Sequence, residues 1–151
     1  MIKSFENKTV IITGASAGVG AACARLFAGH KAKLVLVARG EAALNTIADE
    51  LRSQCEVLTV VMNVASNKDC LTLLEKAEAA FGAVHVIINN AGMHARGDLK
   101  TISPMDVAAM VDINMRAPLL LSCAAIPYLQ RAGEGAIVNV GSLAGRAPLQ
   151  G

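Results

Sequence analysis

Thr9-Val10-Ile11-Ile12-Thr13-Gly14-Ala15-Ser16-Ala17-Gly18-Val19-Gly20 is the stretch that decides the fold. Its first five residues are all β-branched, which suits a short strand buried on both faces. Three glycines follow within seven residues. They let the backbone turn tightly and come close to whatever lies beside it. Residues 19–27 are then rich in alanine, with Gly29 just beyond, and read as a helix ended by a C-terminal glycine. A strand, a glycine turn and a helix form the opening half of a βαβ unit.

Outward from that unit the same alternation repeats. Residues 33–38 read as a second strand. Residues 41–52 carry Ala43, Leu44, Ile47, Ala48 and Leu51 at helical spacing. Residues 57–62 read as a third strand. Ser66 and Asp69 form an S-x-x-D capping box opening a helix whose inner face is Leu73, Leu74, Ala77 and Phe81, closed by Gly82. Residues 84–88 read as a fourth strand. Ser103-Pro104-Met105-Asp106 gives a second capping box with proline at the first helical position. The helix after it is expected to reach about Tyr128, bent near Pro118 and ended by Pro127 and Gly133. Residues 136–140 read as the fifth strand. The pattern predicts one α/β domain over residues 1–151, a doubly wound parallel sheet in the order 3-2-1-4-5. A further helix is expected directly after Ser142, so the pattern stops with the last strand uncovered, as in the N-terminal part of a longer fold.

Composition agrees. A chain of 151 residues suits one domain. Hydrophobic residues make up 54% and aromatics only 3%, so the apolar content is Ala, Val, Leu and Ile, the usual material of covered parallel strands. A mean hydropathy of +0.47 excludes disorder. The net charge of +2 and pI near 8.4 are too weak for a general nucleic-acid binder. Cys23, Cys55, Cys70 and Cys123 are scattered without CxxC or zinc spacing, which predicts reduced thiols and no metal. The first eight residues lack a signal-peptide core. The most apolar stretch, residues 117–129, is interrupted by Pro118, Ser122 and Pro127 and is shorter than a membrane helix. The expectation is a soluble, cytoplasmic protein with no membrane partner.

In such sheets ligands bind beyond the carboxyl ends of the strands. After the first strand, Gly14, Ala15, Ser16, Ala17, Gly18, Val19 and Gly20 can cradle a pyrophosphate at a helix N-terminus, or form a purely structural turn. After the second, the position that would hold an acid for a ribose 2′-OH is Ala38. Arg39 beside it can pair with a 2′-phosphate or lie in solvent, and Glu41 is a second candidate for the ribose. After the third, Asn63 and Val64 suit an adenine edge, or Asn63 makes a turn. After the fourth come Asn89, Asn90, Ala91 and Gly92, small enough for a ribose to lie on the backbone. After the fifth comes Gly141-Ser142, a hydroxyl at the same end of the sheet. His94 and Arg96 either line a pocket or belong to a surface loop.

Together these residues resemble the short-chain dehydrogenase/reductase family: residues 13–20 for its T-G-x-x-x-G-x-G, residues 89–92 for its N-N-A-G, Asn114 for its mid-helix asparagine and Gly141-Ser142 for its serine. Carbonyl and 3-oxoacyl reductases are the nearest in character. The resemblance implies hydride transfer between a nicotinamide and a carbonyl or secondary alcohol. NADP(H) is preferred and NAD(H) possible as cofactor. Ser142 would bond the substrate oxygen, and Asn114 would hold a water in a proton relay. By residues alone, Asn114 is equally a kink residue and Ser142 a helix cap.

The chain departs from the family at one point. The family's Y-x-x-x-K begins about a dozen residues past the serine, and these residues end nine past it. Tyr128, the sole tyrosine, has no lysine four residues on. These residues are therefore expected to be an inactive cofactor-binding portion, with a non-catalytic nucleotide-binding or interaction module as the alternative. The long helix of residues 104–128 is apolar nearly all round, and the family uses it for association, which implies a homodimer or homotetramer at full length.

Overall fold

The computed structural model describes residues 2–95, 98 and 100–142. Five strands, β1 (Thr9–Thr13), β2 (Lys33–Ala38), β3 (Val57–Val61), β4 (Val86–Asn89) and β5 (Ala136–Asn139), form one parallel sheet ordered β3-β2-β1-β4-β5. This is the order expected from the alternation. The order reverses between β1 and β4, so the helices fall on opposite faces.

The central strands β1, β2 and β4 are buried from both sides because their side chains alternate, whereas β5 is largely exposed. Val10 and Ile12 of β1 and Leu34 and Leu36 of β2 point into a cluster under α1 (Gly18–Gly29) and α2 (Glu41–Leu51). Ile11, Val35, Val37 and Ile87 point the other way, under α3 (Asn67–Phe81) and the long segment that follows β4. That segment is α4 (Pro104–Val111), a π turn (Asp112–Arg116) and α5 (Ala117–Arg131).

Several boundaries differ from expectation for physical reasons. Gly29 lies inside α1, and the left-handed residue is Lys31, with φ 56°. Lys31 N–H donates to the Ala28 carbonyl and Ala32 N–H to the Phe27 carbonyl, a Schellman stop built on lysine. The buried row of α2 is Leu44, Ile47, Ala48 and Leu51, while Ala43, one position off that stripe, is exposed. β4 starts at Val86, because the Nδ1 atom of His85 itself accepts the Thr9 N–H at 3.1 Å.

The largest difference is Pro127, which does not end the helix. Proline removes one i→i−4 bond and crowds the carbonyl of residue i−4. That residue is Cys123, which, like Pro127, is exposed. Ala117, Leu121 and Ala125 on the other side are buried against the sheet layer. A π turn falls just before Pro118. The helical run 104–131 has 28 residues and is long and apolar enough to cross a membrane by length and composition, longer than the stretch read from sequence. Its buried row makes it a layer of this domain. Arg96 and the helix expected after Ser142 lie outside the described residues.

Candidate nucleotide-binding site

A cleft of about 530 Å³ opens at the carboxyl ends of the strands, where the sheet order reverses. Gly14, Ser16, Arg39, Asn63, Val64, Ala91 and Gly92, all expected from the sequence, line it. Met62 and Ile113 also line it. Ile113 went unrecognised because it belongs to a helix that starts far from β4 in sequence. Ala15, Ala17, Gly18, Val19, Gly20 and Asn90 are not among the residues that line it.

The glycine turn is held by β4. The Thr13 hydroxyl accepts from the backbone N–H groups of Asn90 and Ala91, both at 3.0 Å, and lies 3.4 Å from the Ile88 carbonyl, to which it donates. The Asn90 amide donates to the carbonyls of Thr13 at 3.0 Å and Gly14 at 3.3 Å. This bonding brings the turn so close to the β4 loop that side chains do not fit. A Cβ on Gly14 would stand 2.9 Å from Ala91 Cα, and one on Gly20 would collide with the Gly14 carbonyl. The glycines thus serve packing and turn geometry together.

The space left is suited to an anion. Helix α1 begins at Gly18 after an extended Ala17. No side chain caps its first turn, and that turn contains no acid. Its first N–H groups and the positive end of its dipole lie at the glycine turn. On the rim, Arg39 follows Ala38 where β2 ends.

The β3–α3 loop forms another wall. Asn63 Oδ1 accepts from the Ala65 N–H at 3.0 Å, so this side chain makes a turn while the residue lines the cleft. The Cys70 thiol donates to the Val64 carbonyl at 3.2 Å. Burial raises its pKa, which keeps the donor proton in place. Ser66 caps α3 by accepting from the Asp69 N–H, as the capping box predicts.

Asn114 lies in the π turn. Its amide accepts from Met93 N–H at 2.8 Å and donates to the Met93 carbonyl at 2.7 Å. The i+4 partner of the Asn114 carbonyl is Pro118, which has no N–H to offer. Ser142 sits three residues past β5 at the same end of the sheet, following Val140, whose N–H donates to the Asn89 carbonyl. Tyr128 is packed under the Arg131 guanidinium, 4.5 Å from the ring centroid. It stands roughly 20 Å along the helix from Asn114 at 1.5 Å per residue.

The glycine turn, the asparagine loop and the π turn are thus assembled in one cleft, and a family model described as short chain dehydrogenase matches residues 8–151. The chain belongs to the short-chain dehydrogenase family. Among its relatives, sulfoacetaldehyde reductase 2 of Chromohalobacter salexigens is 36% identical over 144 residues, covering 94% of the chain and 57% of that protein. An uncharacterized oxidoreductase of Staphylococcus epidermidis is 32% identical over 143 residues, covering 95% and 61%. The crystal structure of a metagenomic short-chain oxidoreductase in complex with NADP superposes with a TM-score of 0.90 at 32% identity, covering 97% of this chain and 67% of that one. The chain therefore spans about three fifths of the length of these curated relatives.

Proposed function

We propose that the chain is the NADP(H)-binding portion of an oxidoreductase acting on a carbonyl or secondary alcohol. The observation that carries the reading is Arg39 on the cleft rim beside Ala38, at the strand end where a ribose-binding acid would otherwise sit. An Arg–phosphate contact is charge-assisted and can be bidentate. The NADP-bound structural relative supports the same assignment.

Each wall then has a task. The glycine turn and the first turn of α1 bind the pyrophosphate. Arg39 binds the 2′-phosphate, Asn63 and Val64 flank the adenine, and Ala91 and Gly92 lie against a ribose. The bound nicotinamide supplies or receives the hydride. Asn114 ties Met93 with its side chain and, on this reading, holds a water in a proton relay. Ser142 donates to the substrate oxygen.

No Tyr, His, Lys, Asp or Glu lines the cleft among the described residues. On this reading these 151 residues are a cofactor-binding portion that does not turn over substrate by itself. The same observation favours the second reading, a nucleotide-binding module without turnover.

The outer face of the long helix fits association at full length, as a homodimer or homotetramer. Met115 and Leu119 are more than 60% exposed, beside an apolar groove that includes Val111, Leu120 and Cys123. The weak net charge favours a small-molecule substrate over nucleic acid.

Calorimetry with NADPH and NADH tests the cofactor assignment. The unaltered chain should bind NADPH more tightly, and Arg39→Ala should weaken NADPH about tenfold or more while leaving NADH nearly unchanged. Equal affinity of the unaltered chain for both would overturn it.

A further inference from the structure

The π turn Asp112–Arg116 is held from two sides. On one side Asn114 grips Met93 in the loop after β4. On the other, Arg116 spreads its guanidinium over three acceptors. Its Nε donates to Asp112 Oδ1 at 2.8 Å, its Nη2 to the Ala65 carbonyl at 2.6 Å and its Nη1 to Asn67 Oδ1.

Ala65 directly follows Asn63 and Val64 in the cleft wall, and Asn67 begins α3. Ile113, on the turn that Arg116 closes, shares a buried cluster with Met62 and Val64 and lines the cleft with them. Arg116 itself is not part of the cleft wall. It borders the apolar groove on the outer side of the helix.

We propose that Arg116 is a positioning residue for nucleotide binding, which sets the spacing between the β3–α3 loop and the π turn and acts through Val64 and Ile113. This rests on the dinucleotide reading of the cleft. The ion pair with Asp112 is partly exposed and stabilises little by itself. The planar fork matters more, because its donors sit in fixed directions and tie a loop carbonyl to a helix at one spacing. Lysine offers a charge without that fork. The cleft has little else to do this work: Asn63 is spent on its own turn, and the Cys70 thiol, a weak donor, holds the Val64 carbonyl from the α3 side.

The test is calorimetry of the 151-residue chain with adenosine 2′,5′-bisphosphate and with NADPH, each variant being melted in parallel. Arg116→Ala should weaken both ligands about tenfold, and Arg116→Lys should recover only part of that loss. Arg131→Ala serves as control, since it breaks the tie to Glu78 between the same two helices away from the cleft. It should leave both affinities unchanged.

Arg116→Ala with wild-type melting and wild-type affinity would overturn the proposal. An equal loss in Arg131→Ala would also overturn it, by showing a general effect of stability. If Arg116→Ala does not fold, Arg116→Lys decides, and full affinity there overturns the proposal. Failure of the unaltered chain to bind either ligand would remove the dinucleotide reading and this proposal with it. Binding by the unaltered chain and all variants alike would remove this proposal alone.

Discussion

The side-chain amide of Asn114 and the backbone of Met93 bond each other twice, at 2.8 Å and 2.7 Å. A π turn in one helix is thereby fastened to the loop that follows a central strand, across 21 residues of sequence. One side chain thus ties the loop to the helix from within the π turn, just ahead of Pro118.

Asn114→Ala should therefore loosen the loop before it affects the sheet. Two hydrogen bonds at an exposed position are worth about 1–2 kcal/mol in total. Amide exchange at Met93 should accelerate while the core strand amides change only with global stability. An unchanged Met93 exchange rate would show that the clasp does not hold the loop.

Stability should fall with acid because of His85. Its Nδ1 must stay unprotonated to accept the Thr9 N–H. Burial lowers its pKa below the usual 6.5, and the Lys8 charge adds to this while Glu134 opposes it. The unfolded chain then binds the proton more readily than the folded one. Stability is complete above about pH 6.5 and declines as pH falls from there towards the lower folded value. Urea midpoints from pH 7.5 to 5 should drop in the unaltered protein. His85→Gln should flatten that slope, and an identical slope in the variant would exclude His85 as its source.

Lys31→Gly should stabilise the chain. Lys31 holds φ 56°, a conformation costly for a residue with a Cβ. Glycine removes that strain and restores part of it as unfolded-state entropy, for a net gain of about 0.5–1 kcal/mol. At this size the melting midpoint should rise by about 2 °C. A lower midpoint would mean that the lysine side chain contributes something else.

The 151 residues by themselves should not turn over substrate. Carbonyl reduction needs a proton donor within about 2.6–3.2 Å of the oxygen. The serine hydroxyl is too weak an acid, Asn114 does not titrate, and Tyr128 is packed under Arg131 far along the helix. NADPH oxidation with a panel of ketones and 3-oxoacyl thioesters should stay at background. Carbonyl-dependent turnover abolished by Ser142→Ala would show another donor at work.

The sequence alone determined the sheet and most of the cleft. The β-branched run at 9–13 and the apolar run at 34–38 suit strands covered on both faces. The glycines at 14, 18 and 20 mark the turn before α1, and small residues at 91 and 92 mark the loop beside it. These signals are local, since each depends on backbone freedom or side-chain shape at one place. Tertiary structure alone decided the rest. Pro127 stays inside a helix because Leu121 and Ala125 are buried on one side while Cys123 and Pro127 lie on the exposed side. Lys31 accepts a left-handed φ because the α1–β2 connection closes a Schellman turn there. Thr13, Asn114 and Arg116 show their partners only when β1 meets β4 and the π turn meets two loops. Those contacts join residues from 21 to 78 positions apart, a distance over which no sequence periodicity extends.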